Sequence, residues 1–127
     1  MTRTAFIKEF DPAKQMSETQ LQDSIINLAH YLGWLVMHQR PARLANGGYR
    51  TAIQGDKGFP DLVLARRGRV IFAELKSEKG TLSGGQFNWQ HELYGQPGVF
   101  DWKQHPEYYV WRPSTWLSGE IERILKG

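Results

Sequence analysis

The spacing of hydrophobic and polar positions changes several times along the chain, and each change predicts an element. From 17 to 32, Leu21, Ile25, Leu28, Ala29 and Leu32 recur at the three- and four-residue intervals of one helix face. Ser17 with Gln20 three residues later is a capping-box pattern at its start, and Gly33 is a stop. Trp34 to Arg40 then alternates as a strand, with Leu35 and Met37 on one face and Val36 and His38 on the other. Pro41 to Lys57 has little periodicity and reads as a long loop or partly ordered hairpin. Two apolar runs, Leu62-Val63-Leu64-Ala65 and Val70-Ile71-Phe72-Ala73, bracket Arg66-Arg67-Gly68-Arg69 and predict a β-hairpin. Ser83 with Gln86 opens a second helix near Gly84 to Tyr94, whose one face carries Gln86, Trp89, Gln90 and Leu93. Val99 to Trp102 and Tyr108 to Trp111 read as further strands. Pro113 is expected to stop the last of them, and Ser114 to cap a final helix with Leu117, Ile121, Ile124 and Leu125. Residues 1–16 have no clear period and read as an irregular arm. The order predicts a single α/β domain over 1–127: helix, three-stranded antiparallel ribbon, helix, further strand, giving a mixed sheet with a central antiparallel hairpin flanked by helices.

The hairpin register brings chemistry into view. A two-residue loop at Arg67-Gly68 pairs Arg66 with Arg69, Ala65 with Val70, and so on to Leu62 with Ala73, which sets Asp61 opposite Glu74. Opposed residues share a sheet face with Cβ atoms about 5 Å apart, and Lys76, two residues beyond Glu74, shares that face. Two like charges so placed repel, raise one pKa and lower stability unless a positive group lies between them. Both are hard oxygen ligands suited to Mg²⁺ or Mn²⁺, and the set looks like a phosphodiester-cleaving centre. A turn centred one residue away would undo the opposition and leave an edge hairpin with solvated charges.

Composition narrows the reading. The 127 residues suffice for one core and not two. The absence of cysteine excludes disulfides, a thiolate nucleophile and a cysteine zinc site. Zinc through histidine would need His30, His38, His91 and His105 to converge from separate elements. The chain has no apolar run near 18 residues and no signal-peptide pattern at its start, so the expectation is a soluble cytoplasmic protein without a membrane partner. Net charge is +3 with pI about 9.3, and the basic residues cluster as Arg40, Arg43, Arg50 and Lys57 before the hairpin and Arg66, Arg67 and Arg69 on its turn.

Pro60-Asp61, twelve intervening residues, then Glu74-Leu75-Lys76 resembles the PD-(D/E)xK nuclease signature. The runs Gly58-Phe59-Pro60-Asp61-Leu62-Val63 and Ala73-Glu74-Leu75-Lys76-Ser77, with Gln86 and Trp89, resemble its VRR-NUC branch, over roughly Ser17 to Pro113. The resemblance implies a restriction-endonuclease-like core, Mg²⁺ or Mn²⁺ dependence and a nucleic-acid substrate. Small stand-alone members, many carried by phages, are similar to Holliday-junction resolvases that act as homodimers on branched DNA. It also implies roles: Asp61 and Glu74 hold the metal, the Leu75 carbonyl is an additional ligand, and Lys76 positions the attacking water. Glu18, on the line of the first helix stripe, would be a third acidic ligand, and Gln86 would approach Lys76 or the attacking water. Without the resemblance, Glu18 is explained by the helix dipole in a first turn.

His38, Arg40, Arg43, Arg50 and Lys57 are the candidate phosphate contacts, against a partly buried histidine and solvated surface charge. Trp102, Tyr108, Tyr109, Trp111 and Trp116 can be read as core, as a dimer interface or as stacking platforms for unpaired bases. The expected function is a metal-dependent, structure-selective DNA endonuclease in a bacterial or phage-infected cell. The rivals are a nucleic-acid-binding or junction-scaffolding protein and a nuclease of other DNA or RNA substrates.

Overall fold

A computed structural model describes residues 11–38, 42–43, 49–50, 54–94 and 106–127. Five helices and six strands fall within them: α1 (Pro12–Gln15), α2 (Glu18–Tyr31), β1 (Leu35–His38), β2 (Ala42–Arg43), β3 (Tyr49–Arg50), β4 (Leu62–Arg66), β5 (Arg69–Leu75), α3 (Gly84–Tyr94), β6 (Glu107–Trp111), α4 (Pro113–Leu117) and α5 (Glu120–Lys126). A four-stranded sheet has the order β1-β4-β5-β6, with β1, β4 and β5 antiparallel and β6 parallel to β5. The predicted mixed α/β arrangement is thus present, with a four-stranded mixed sheet flanked by helices. None of the described helices is long and apolar enough to cross a membrane.

The hairpin register is the one read from the sequence, Arg66 opposite Arg69 through Leu62 opposite Ala73. Its turn takes positive φ at both central residues, 50° at Arg67 and 82° at Gly68, the primed turn whose twist matches the strands. Period-two alternation then sends Leu62, Leu64, Ile71, Ala73 and Leu75 into the core with Leu21, Ile25 and Ala29 of α2, Ile121 and Leu125 of α5, Trp34 and Trp111. Leu35 and Met37 alternate as expected with Val36 and His38, and they lie on the face turned from this core, 77% and 56% exposed.

Both predicted caps on α2 are made: Gln20 N donates to Ser17 Oγ at 3.0 Å, and Ser17 N to Gln20 Oε1 at 2.8 Å. Three expectations need correction. The arm is not irregular throughout, because Asp11 accepts from Ala13 N at 3.0 Å and starts the single turn of α1. The last strand ends at Trp111, ahead of Pro113 as expected, but Ser114 does not cap the helix that follows. Pro113 sits at the first position of α4, where a missing N–H costs nothing, and Arg112 is the N-cap. The final helix is two helices, because Gly119 in the left-handed region interrupts it; Ile121 and Leu125 stay in the core and Leu117 turns outward. The strand expected at Val99 to Trp102 lies outside the described residues, as do residues 1–10 of the arm.

The hairpin-turn arginines are engaged within the fold. Arg66 and Arg69 lie 4.6 and 5.5 Å from the Trp34 ring. They donate to carbonyls at the C-terminal end of α5, Arg66 to Gly127 at 3.3 Å and Arg69 to Ile124 at 2.9 Å, where the helix dipole favours cations. Arg69 also pairs with Glu107, which Tyr109 contacts in turn.

A backbone crossing matters more for the site. At Gly58, φ is +95°, and a Cβ there would lie 2.3 Å from the Gly85 carbonyl carbon and 2.4 Å from Gln86 N. The loop that delivers Asp61 therefore rests directly on the first turn of α3. Gly58→Ala is expected to destabilise the protein by about 3 kcal/mol, from left-handed backbone plus a clash that only backbone movement relieves. Gly68→Ala, with φ +82° and open space around it, should lose only about 1 kcal/mol. Chemical denaturation of the two variants checks this, and equal losses would mean the crossing is loose.

Candidate functional site

The two carboxylates predicted to oppose one another meet at the end of the sheet where β4 begins and β5 ends. Asp61, just before β4, accepts through Oδ2 from Leu75 N at 2.8 Å, so the strand ladder continues through a side chain. Glu74 is on the opposite face of β5 from Ala73 and Leu75, yet only 1% exposed. Helix α3 accounts for this burial: Gln86 Nε2 donates to Glu74 Oε1 at 2.9 Å, and Phe59 packs edge-on against both Phe72 and Trp89.

The other end of the Gln86 amide is also occupied. Its Oε1 accepts from Ser83 N at 2.9 Å, while Gln86 N donates to Ser83 Oγ at 3.3 Å. This capping box leaves Nε2 to face Glu74. Gln86 is thus placed against a carboxylate rather than against Lys76.

With both carboxyls ionised, Glu74 Oε2 has no hydrogen-bond partner although it is buried, a costly condition for a charged oxygen. Burial is the largest reason that the Glu74 pKa is pushed up, to about 9. The proton it can share with Asp61 comes next, then the charge of Asp61, with Lys76 opposing and Glu18 adding to the rise. The sequence argument that two opposed carboxylates raise one pKa is met here in its expected direction. Tyr108, buried on β6, has its hydroxyl pKa pushed up to about 12 by burial and by Glu74 and Asp61. It is a neighbour of the pair that the sequence reading placed only among the aromatic residues.

Glu18 opens α2 at this end of the sheet. Although the residue is largely exposed, its carboxyl pKa is raised, first by burial and then by Asp61, with Lys76 lowering it. Lys76 follows β5 and donates its N–H to Trp111 O at 3.0 Å. Among the described residues no three of the acidic and histidine side chains close into a ready metal cage. The donor set nevertheless fits Mg²⁺ or Mn²⁺, which need only one or two carboxylates and otherwise keep waters or phosphate oxygens. The orphaned Glu74 oxygen is the position that lacks a partner. Leu75 gives its N–H to Asp61, and since the N–H and C=O of an extended residue point to the same side, its carbonyl turns that way too.

The candidate phosphate contacts are more scattered. His38, half-buried at the end of β1 opposite Leu62, has Nδ1 3.5 Å from Gln22 Nε2. Gln22, one turn beyond Glu18 on α2, is therefore beside His38. Lys57 is exposed beside the Gly58 crossing. Arg43 and Arg50 belong to the short antiparallel pair β2 and β3, consistent with a partly ordered hairpin. Arg40 lies outside the described residues. The hairpin-turn arginines sit at the far end of β4, roughly 17 Å away at about 3.4 Å per residue. Tyr108 and Trp111 are buried, Tyr109 and Trp116 pack against the core, and Trp102 lies outside the described residues.

Comparisons with protein-family models, with curated proteins and with solved structures find no match to this chain.

Proposed function

We propose that this protein is a Mg²⁺- or Mn²⁺-dependent endonuclease with a restriction-endonuclease-like core of the VRR-NUC kind, hydrolysing phosphodiester bonds of branched DNA. The observation that carries the proposal is the buried Glu74 pressed against Asp61, with an oxygen left unpartnered once both carboxyls are ionised and Lys76 two residues on. A purely structural hairpin would have no use for such an arrangement, because an apolar residue at 74 would pack there without a desolvation cost.

Asp61 and Glu74 would hold the ion, with the Leu75 carbonyl and Glu18 at its margin. When bound, the metal supplies Lewis-acid chemistry and a nucleophile at neutral pH. Lys76 orients the water that attacks phosphorus and offsets charge on the phosphoryl oxygens, and the sugar oxygen leaves on the opposite side. Gln86 holds one oxygen of Glu74 and keeps the other free. His38 and Lys57 contact phosphates beside the site, and Arg40, Arg43 and Arg50 would be further phosphate contacts. Two copies related by a twofold axis would place two such sites on a four-way junction.

The test is cleavage of a labelled panel of four-way junction, flap, fork, single strand and linear duplex with Mg²⁺, Mn²⁺ or EDTA. The expected result is metal-dependent cutting concentrated on the four-way junction. Cutting concentrated elsewhere would keep the chemistry and replace the substrate, and tight binding without cutting under either metal would replace the enzyme with a junction-binding protein.

A further inference from the structure

The chain turns sharply after Lys76, and the turn is held from a distance in sequence. Gly80 N donates to Ser77 O at 3.1 Å, closing a four-residue turn. Arg112, the N-cap of α4, donates through Nη1 to both carbonyls of that turn, to Ser77 O at 2.9 Å and to Gly80 O at 2.6 Å. Glu78 in the same turn accepts from Ser114 N at 3.0 Å, and Arg112 N is itself held by Thr115 Oγ1 at 3.0 Å. The turn runs beside the lysine stem: a Cβ built on Gly80 would lie 2.9 Å from Ser77 Oγ and, at 3.5 Å, in ordinary van der Waals contact with Lys76 Cδ.

We propose that Arg112 is a positioning residue for Lys76, acting through the Ser77–Gly80 turn that runs beside the lysine stem. This inference rests on the reading of Lys76 as the water-orienting group. Lysine has four rotatable bonds and no built-in direction for its ammonium. Its backbone is anchored at one point, Lys76 N on Trp111 O, and beyond that the stem needs a surface to lie on. The turn provides the surface, and a charged donor bonding two carbonyls at once fixes it more firmly than a neutral one would. Arg112 also follows Trp111 directly, so one short segment anchors Lys76 through both its backbone and its floor. A side chain at Gly80 would crowd Ser77 Oγ at 2.9 Å and so shift the turn beside the lysine.

Two variants of the full-length protein test this, Arg112→Ala and Gly80→Ala, with urea denaturation confirming a folded state. In protein carrying ¹³Cε-labelled lysine, with the Lys76 signal assigned through Lys76→Arg, the Lys76 resonance is expected to move toward the positions of exposed lysines in both variants. Cleavage is expected to fall ten- to a hundred-fold in kcat, with KM within twofold, as expected of a misplaced group rather than lost binding. Arg112→Lys should recover part of the loss, because a single nitrogen makes both bonds. An unshifted Lys76 signal in folded Arg112→Ala would overturn the proposal whether or not the protein cuts DNA. Absence of cleavage by the unaltered protein, by contrast, would overturn only the nuclease reading.

Discussion

Lys76→Ala is expected to lose about a thousand-fold in cleavage rate while unfolding at the same denaturant concentration as the unaltered protein. The rate loss is of the size found when a positioned proton-handling or charge-stabilising group is removed. The folding result follows from the geometry, since Lys76 contributes its backbone N–H to Trp111 O and that bond survives in alanine. Asp61 behaves differently. Its carboxylate accepts from Leu75 N, so Asp61→Ala orphans a strand-end N–H and should destabilise by about 1–3 kcal/mol in addition to abolishing cleavage. Asp61→Asn retains an acceptor for Leu75 N and removes only the charge. It should therefore fold almost normally and still be inactive. Measurable metal-dependent cutting by either Lys76→Ala or Asp61→Asn would remove these residues from the reaction.

Stability of the metal-free protein should fall as pH rises from about 5 to 9, the reverse of ordinary carboxylate behaviour. Unfolded, Glu74 titrates near the ordinary glutamate value of 4.5; folded, its pKa is pushed up to about 9. Between these values the folded state holds a proton that the unfolded state has released. Its contribution is complete below 4.5, declines by at most about 1.4 kcal/mol per pH unit, and is gone above 9. At the acid end Glu107 acts with the opposite sign. The Arg69 hydrogen bond lowers its pKa, so its contribution is present above the ordinary carboxylate range and is lost as pH falls through its folded value. Glu107 remains partly solvated, and its share is small. Maximum stability in EDTA should therefore lie at mildly acidic pH. Adding Mg²⁺ or Mn²⁺ at pH 8 should raise Tm and flatten the profile, because the ion stabilises both ionised carboxylates and binds only the folded state. Glu74→Gln should remove the slope in EDTA. A Tm in EDTA that is level from pH 5 to 9 would show that Glu74 does not hold a proton in that range.

Much of the site was legible because it rests on local rules. The capping pairs Ser17 with Gln20 and Ser83 with Gln86 name helix starts from residues three apart. The glycine at 68 centres a tight turn, and once that turn is placed the strand period alone carries the register from Arg66 and Arg69 to the pair Asp61 and Glu74. Ser114 lies inside the helix it was expected to cap, because proline is at home in a first helical turn and the cap moves back to Arg112. The approach of Gln22 to His38 is likewise not local, because a helical wheel says nothing of what stands opposite.

The sequence by itself therefore determined the two main helices, the hairpin register and the opposition of two carboxylates, since each depends on neighbours a few residues apart or on a strict period of two. Only the tertiary structure decided that Glu74 is buried, that Gln86 faces it rather than Lys76, that Gly58 lies on Gly85, and that Arg112 holds the turn beside Lys76. These contacts join residues 12 to 35 positions apart. They exist because β6 lies parallel to β5 and α3 covers the sheet end, and no local pattern encodes how separate elements pack.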